Sequence, residues 1–95
     1  KASPQWKNML VVVTYDENGG YWDHVPPPSG PGWGDRFGPG SRIPTLLIGP
    51  HVKKGAIDST AMDTTSILKF LTRRFDLQPL PGVRDKVGDL TSALN

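Results

Sequence analysis

Residues 9–20 read MLVVVTYDENGG, and this stretch passes directly from an apolar run into an acidic turn. The run from Met9 to Val13 is unbroken and rich in β-branched residues, which is typical of a strand buried on both faces, as in a parallel sheet. Two adjacent carboxylates, an amide and two glycines follow within a few residues. Strand interiors do not need such residues, whereas metal and phosphate sites at strand ends do. We therefore expect a functional turn at the end of a buried strand.

The composition indicates one small, loop-rich unit. Ninety-five residues make at most one small domain, and 11 glycines and 10 prolines leave few positions for a core, so we predict a fragment of a larger domain. The absence of cysteine excludes thiolate metal sites and cysteine nucleophiles within the chain. A net charge of +2 without a Lys/Arg stripe argues against nucleic-acid binding. No apolar stretch approaches the ~18 residues of a transmembrane segment.

A long loop separates two strands. Residues 26–42, here called the Gly/Pro loop, combine a triple proline with repeated glycines, so they cannot form regular structure. Trp33 and Phe37 indicate that part of this loop packs on something. Thr45–Ile48 is predicted to be a second buried strand. The two strands either run antiparallel or are joined by an irregular crossover between parallel strands, and the sequence leaves both arrangements open.

The second half of the chain predicts helices. Asp63 is a good N-cap with Ser66 at the N3 position, and helical spacing of apolar residues continues until a stop near Asp76. Residues 83–95 predict a final short helix with three apolar residues on one side: Val87, Leu90 and Leu94. Strand, loop, strand and helix together indicate an α/β fold.

The acidic turn allows two interpretations. Asp16 and Glu17 are adjacent like charges, which are costly at close range unless a cation or hydrogen bonds compensate them. Hard oxygen ligands favour Ca²⁺, Mg²⁺ or Mn²⁺, or Zn²⁺ where a histidine joins them. His24 can ligate a metal, protonate a leaving oxygen or hydrogen-bond a phosphate. The same residues also suit a simple turn, because Asp is a turn former and Gly19-Gly20 permits positive φ.

Two further residues have ambiguous roles. Arg42, at the exit of the Gly/Pro loop, either binds an anion or anchors the loop through carbonyls or Asp35. His51 follows a Gly-Pro turn beside two lysines and is interpreted as a surface histidine.

Several motifs occur in a specific order along the chain. Trp6 precedes the apolar strand, and TYDENGG (14–20) and YWDHVPPP (21–28) follow it. GPGSRIP (38–44) and TSIL (65–68) come later. Together these motifs resemble the C-terminal part of the bacterial phosphoesterase family, which contains phosphatidylcholine-type phospholipases C and acid phosphatases. The resemblance covers roughly residues 6–92, nearly the whole chain.

This resemblance implies a fold and a site. The expected fold is the C-terminal part of an alkaline-phosphatase-like α/β sandwich, with a mainly parallel central sheet and flanking helices, and residues 1–95 would form part of one catalytic domain. Asp16 and Glu17 match the family's metal-site pair, and His24 matches the histidine of its Asp-His-Val-Pro motif. Arg42 matches the arginine before the second strand.

The resemblance also implies what lies outside this chain. The nucleophilic hydroxyl and further ligands would come from the N-terminal part of the same enzyme, and export to the periplasm or the medium is expected. One departure is at residues 63–66, which read DTTS where relatives often have Asp-His-Thr-Ser, so the role of that histidine is absent here.

The sequence leaves the activity of the chain open between several alternatives. The complete enzyme cleaves either phospholipids, as a phospholipase C, or phosphomonoesters, as an acid phosphatase. The fragment by itself is expected to be inactive, because half of the site is missing. A different alternative is a lipid- or carbohydrate-binding module that uses Trp22, Trp33 and the Gly/Pro loop.

Overall fold

The two strands of the chain pair antiparallel. The computed structural model describes residues 1–21, 23–36 and 38–95. Strand β1 (Val11–Thr14) lies beside strand β2 (Thr45–Ile48), with Val11 opposite Ile48 and Thr14 opposite Thr45. The antiparallel alternative therefore holds for these strands, and β1 begins two residues later than expected. A mainly parallel sheet in the complete domain stays a prediction.

Short-range contacts fix the register of this pair at both ends. The Thr14 hydroxyl donates to the carbonyl of Pro44 at 3.0 Å and lies 2.8 Å from the hydroxyl of Thr45. At the opposite end, a Cβ on Gly49 would lie only 2.7 Å from the carbonyl oxygen of Met9. Glycine is therefore required where β2 ends against the approach to β1.

The expectation of a first strand buried on both faces and of a buried second strand is not met within the described residues. Val13, Leu46 and Ile48 share one face of the pair and are 48%, 62% and 43% exposed. No helix packs closely on the strand pair within the described residues. The strands are apolar, as expected, but the described residues include no further layer of structure that covers this face.

Helix α1 (Thr65–Phe75) begins one residue later than predicted, so Thr64 occupies the N-cap position, and the predicted Asp63 makes its capping hydrogen bonds from the residue before it. The Asp63 carboxylate accepts the amide of Thr65 at 2.9 Å, and the amide of Asp63 donates to the Ser66 hydroxyl at 3.1 Å. This reciprocal pair is a capping box that satisfies amides at the helix start. The helix ends at Asp76, which adopts a left-handed φ of 51°, so the predicted stop is confirmed.

The predicted helix over residues 83–95 is wrong, because backbone groups of this segment form hydrogen bonds with other segments of the chain. Only a 3-10 turn forms, at Thr91–Ala93. The amide of Lys53 donates to the carbonyl of Ala93 at 2.9 Å, and the amide of Asn95 donates to the backbone carbonyl of His51 at 2.8 Å. Leu90 takes a left-handed φ of 74°, which no α-helix contains. The apolar pattern nevertheless identifies buried residues, since Val87 and Leu90 are each only 3% exposed.

Cations on helix α1 hold this C-terminal segment in place. The Lys69 ammonium donates to three backbone carbonyls, at 3.3, 3.1 and 2.8 Å, in Arg84, Asp85 and Val87. One turn later, the Arg73 guanidinium donates to the Asp89 carboxylate at 2.7 Å. The polar side of the helix therefore links α1 to the C-terminal residues through two cationic side chains.

Asp89 provides a pH-dependent part of this link. Hydrogen bonds from the Thr91 hydroxyl and then from Arg73 lower the pKa of the Asp89 carboxyl from 3.8 to about 2. Because the pKa is lower in the folded state, the stabilisation is complete above pH 3.8 and is lost as the pH falls through about 2.

We expect Asp89→Asn to lower the free energy of unfolding by about 2 kcal/mol at neutral pH, and the difference from wild type to shrink below about pH 4. Urea denaturation over a pH series measures both effects. Asp85→Asn is the matched control, since Asp85 is an exposed neighbour, and its effect should stay within about 0.5 kcal/mol. A constant difference between wild type and Asp89→Asn down to pH 2 would contradict the prediction.

Candidate active site

The acidic turn is shaped by its own side chains. The Asp16 carboxylate accepts the amide of Glu17 at 2.9 Å, and the Asn18 side-chain oxygen accepts the amide of Gly20 at 3.0 Å. Gly19 and Gly20 have positive φ angles of 73° and 86°, which favour glycine. The chain therefore bends sharply after β1 and leaves the carboxylates of Asp16 and Glu17 exposed.

A second polar arrangement lies seven residues after Asp16 along the chain. Asp23 accepts the amide of Val25 at 3.0 Å, and Arg42 donates through Nε and Nη2 to the other Asp23 oxygen at 2.8 and 2.6 Å. We call this contact the neck ion pair, because it joins residues nineteen apart and so closes the base of the Gly/Pro loop. His24 is exposed and is the first residue inside the closed loop.

The neck ion pair supports the interpretation that Arg42 anchors the loop, and anion binding by Arg42 stays a prediction. Arg42 anchors the loop, which is one of the two roles predicted for it, but it does so through Asp23 rather than through Asp35. The amide of Val25 and then the Arg42 guanidinium hold the pKa of the Asp23 carboxyl below its usual value. Asp23 is therefore ionised at neutral pH, and its carboxylate accepts hydrogen bonds from Val25 and Arg42.

The donor set at the acidic turn fits a divalent cation only in part. Asp16 and Glu17 offer two hard carboxylates, whereas Ca²⁺ or Mg²⁺ takes six or more oxygen ligands. Within residues 1–21, 23–36 and 38–95, no three His, Asp or Glu side chains are grouped so that they could hold a metal ion. The turn thus supplies ligands of the right chemistry, and a complete site needs further donors. The assignments of Asp16, Glu17 and His24 stay predictions.

Other candidate residues have structural roles. A ring nitrogen of His51 lies 3.0 Å from the carbonyl of Lys7 on the exposed surface. Trp33 is only 6% exposed, so it packs as expected but is not presented to a ligand. Phe37 and Trp22, which were expected to pack and to bind a ligand respectively, lie outside the described residues.

Arg84 is the residue that sequence reasoning missed. Its guanidinium contacts Asp63 at the start of α1 and donates to the carbonyl of Gly38 in the Gly/Pro loop at 2.8 Å. Its partners lie 21 and 46 residues away in sequence, and no local motif marks it. Only the three-dimensional arrangement reveals that the loop, the helix start and the C-terminal segment meet at this side chain.

Sequence comparison identifies the family. Residues 1–78 match the phosphoesterase family. The chain belongs to this family. The family resemblance predicted from the acidic turn and the motifs around it is thereby confirmed.

Similar phosphoesterases come from bacteria and a plant. The chain is 37% identical to phospholipase C A of Mycobacterium tuberculosis, over 95% of this chain and 22% of that protein. It is 33% identical to the non-hemolytic phospholipase C of Pseudomonas aeruginosa, over 99% of this chain and 18% of that protein. It is also 33% identical to non-specific phospholipase C6 of Arabidopsis thaliana, over 97% and 19% of the two chains. The chain thus spans about a fifth of the length of these relatives.

The helices of the described residues can be compared with the length and hydropathy that a membrane span needs. Among the residues with described structure, none belongs to a helix that is both long and apolar enough to span a bilayer.

The neck ion pair can be tested through Asp23. In Arg42→Gln the pKa of Asp23 should rise, because the guanidinium is lost, yet it should stay below the usual aspartate value because the amide of Val25 still donates. A ¹³C NMR titration of protein labelled at the aspartate carboxyl carbons measures this shift. Arg74→Gln, at an exposed position on α1, is the control and should leave the Asp23 titration unchanged. An unchanged Asp23 titration in Arg42→Gln would argue against the pair.

Proposed function

We propose that the full-length protein hydrolyses phosphoester bonds of phospholipids by a metal-assisted mechanism. The observation that carries this proposal is the exposed carboxylate pair at the end of β1, in a chain of the phosphoesterase family. The named relatives quoted above are phospholipases C, which favours a phospholipid substrate. The acid-phosphatase alternative, with a phosphomonoester substrate, remains the second candidate because the family resemblance includes both activities.

The proposed metal ligands are Asp16 and Glu17. A divalent cation held there, Ca²⁺, Mg²⁺, Mn²⁺ or Zn²⁺, would polarise the phosphoryl oxygens and favour in-line attack by a hydroxyl. The Asp16 carboxylate accepts the amide of Glu17 at 2.9 Å, so the Asp16 side chain has a defined orientation in the turn. Preorganised ligands of this kind lose little freedom when a cation binds.

His24 is proposed to act on the leaving group or the phosphoryl oxygens. It is exposed and lies next to the neck ion pair, which fixes the backbone on its N-terminal side. A histidine so placed can donate a hydrogen bond to a phosphoryl oxygen or a proton to the departing oxygen. The attacking hydroxyl is proposed to come from the N-terminal part of the same enzyme.

The exposed apolar surfaces support a larger domain around this chain. One face of the strand pair and several apolar residues of α1 are open, with Leu68 and Leu71 each 40% exposed and Phe75 59% exposed. Apolar surface of this extent usually marks a contact. We propose that the rest of an alkaline-phosphatase-like domain covers it, and that the enzyme is exported to the periplasm or the medium.

Two alternatives to phosphoester hydrolysis predict different properties of the chain. A non-catalytic fragment would show no turnover because it lacks the proposed nucleophile. A binding module that uses exposed aromatic residues of the Gly/Pro loop is disfavoured, because Trp33 is buried.

Alanine at Asp16 or Glu17 should lower kcat/KM of the full-length enzyme about 100-fold or more, because each change removes a metal ligand. Initial rates are measured on phosphatidylcholine and on p-nitrophenyl phosphate, with and without a chelator. We expect the phospholipid to be the better substrate and the chelator to abolish its turnover. Since both carboxylates are exposed, circular dichroism should show normal folding of both variants.

The control for these variants is Asp85→Ala, which removes an exposed carboxylate in the C-terminal segment and should retain wild-type rates. Full activity in both Asp16→Ala and Glu17→Ala would remove the pair from the site. Full activity after stringent metal removal would overturn the metal mechanism. Faster turnover of p-nitrophenyl phosphate than of phosphatidylcholine would favour the phosphatase alternative.

His24→Gln separates the two proposed roles of His24. If His24 protonates the leaving oxygen, kcat should fall by about 10²- to 10⁴-fold with an alkyl alcohol leaving group. With p-nitrophenolate, which leaves without a proton, the loss should be much smaller. An equal loss with both leaving groups would assign His24 to the phosphoryl oxygens instead, and no loss with either would exclude it from the chemistry.

A further inference from the structure

The Arg84 guanidinium joins three separate parts of the chain. Its Nη1 donates to the Asp63 carboxylate, and its Nη2 donates to the carbonyl of Gly38 at 2.8 Å and lies 2.6 Å from the Asp35 carboxylate. The Arg84 side chain is 12% exposed and that of Asp63 is 8% exposed, so their ion pair is largely protected from water, whereas Asp35 is 44% exposed. A planar guanidinium can serve several acceptors at fixed angles, which the point charge of lysine cannot.

The indole of Trp33 completes this arrangement. Arg84 lies over the Trp33 ring, with 5.7 Å between the guanidinium carbon and the ring centroid. The ammonium nitrogen of Lys86 lies 5.8 Å from the same centroid and donates a hydrogen bond to the carbonyl of Pro31 at 3.1 Å. The middle of the Gly/Pro loop is thus held by two cations of the C-terminal segment. We call this set of contacts, made by Arg84 and Lys86 to residues 31–38, the loop clamp.

The loop clamp and the neck ion pair hold the same loop at two places. The neck ion pair of Asp23 and Arg42 closes the base of the loop, and the loop clamp fixes its middle against the start of α1. His24 lies on the stretch between these two restraints. A loop that is fixed only at its base can pivot, whereas one that is also fixed at its middle holds a single orientation.

We propose that Arg84 is a positioning residue for phosphoester hydrolysis, which acts by clamping the Gly/Pro loop so that His24 at its base is held in its working orientation. The inference rests on the proposed function. It assigns to Arg84 no contact with the substrate, and it makes the C-terminal segment a part of the catalytic apparatus. The start of α1 is then a fixed support for the loop through Asp63.

The test uses Arg84→Met in the full-length enzyme, with kcat and KM measured on phosphatidylcholine well below the melting temperature and corrected for the folded fraction. We expect kcat to fall about 10- to 100-fold, with a smaller change in KM, because misplacing a reacting group affects the transition state more than binding. Trypsin cleavage after Arg36, in the middle of the loop, should become faster. Arg84→Lys, which keeps the charge, should recover part of kcat.

Two control variants accompany this test. Arg74→Met, at an exposed position of α1, should behave as wild type. Adding Asp35→Asn to Arg84→Met should lower kcat little further, since both changes break the same contact.

Wild-type kcat in Arg84→Met, or a loss that matches the unfolded fraction, overturns the inference while leaving the proposed function in place. A wild-type enzyme without turnover on either phosphatidylcholine or p-nitrophenyl phosphate overturns the proposed function, and this inference with it.

Discussion

The contacts of the Arg84 guanidinium bring three parts of the chain together at one side chain. The Gly/Pro loop has no backbone ladder of its own, α1 exposes much of its apolar side, and the C-terminal segment forms only a short 3-10 turn. Arg84 belongs to the third of these and contacts the other two through Asp35, Gly38 and Asp63. The hydrogen bond to Asp63 is the largest of the effects that raise the pKa of Arg84. Arg84 therefore stays charged, and its guanidinium is the one cation among those described here that contacts both the loop and the start of α1.

Polar links of this kind take the place of a large core. Trp33, Val87 and Leu90 are the buried apolar residues among those described, which is a small set for a chain of 95 residues. The C-terminal segment is held instead by Lys69, whose ammonium serves three carbonyls. Hydrogen bonds to charged groups contribute about 1.5–3 kcal/mol each where they are protected from water. They are directional, so they specify position more strictly than apolar contacts do.

The features that the sequence predicts correctly are those encoded within a few residues. The apolar run before Thr14, the capping pair of Asp63 and Ser66, and the stop at Asp76 all depend on near neighbours. The predicted helix after Val83 fails because long-range pairing of residues 93–95 with 51–53 overrides local spacing. Burial of the strands fails for a related reason, since apolar composition predicts a covered face but not what covers it. Within the site, the acidic turn is visible in sequence, whereas the partnership of Asp23 with Arg42 is not.

The closed base of the Gly/Pro loop has an evolutionary consequence. A loop joined at its ends by Arg42 and Asp23 can gain or lose residues between them without moving either end, because the entropic cost of loop length grows only with its logarithm. In such an arrangement, the two stretches between the neck ion pair and the loop clamp can change in length while His24 keeps its position beside Asp23. Such a change would leave the neighbouring acidic turn and its bend unchanged.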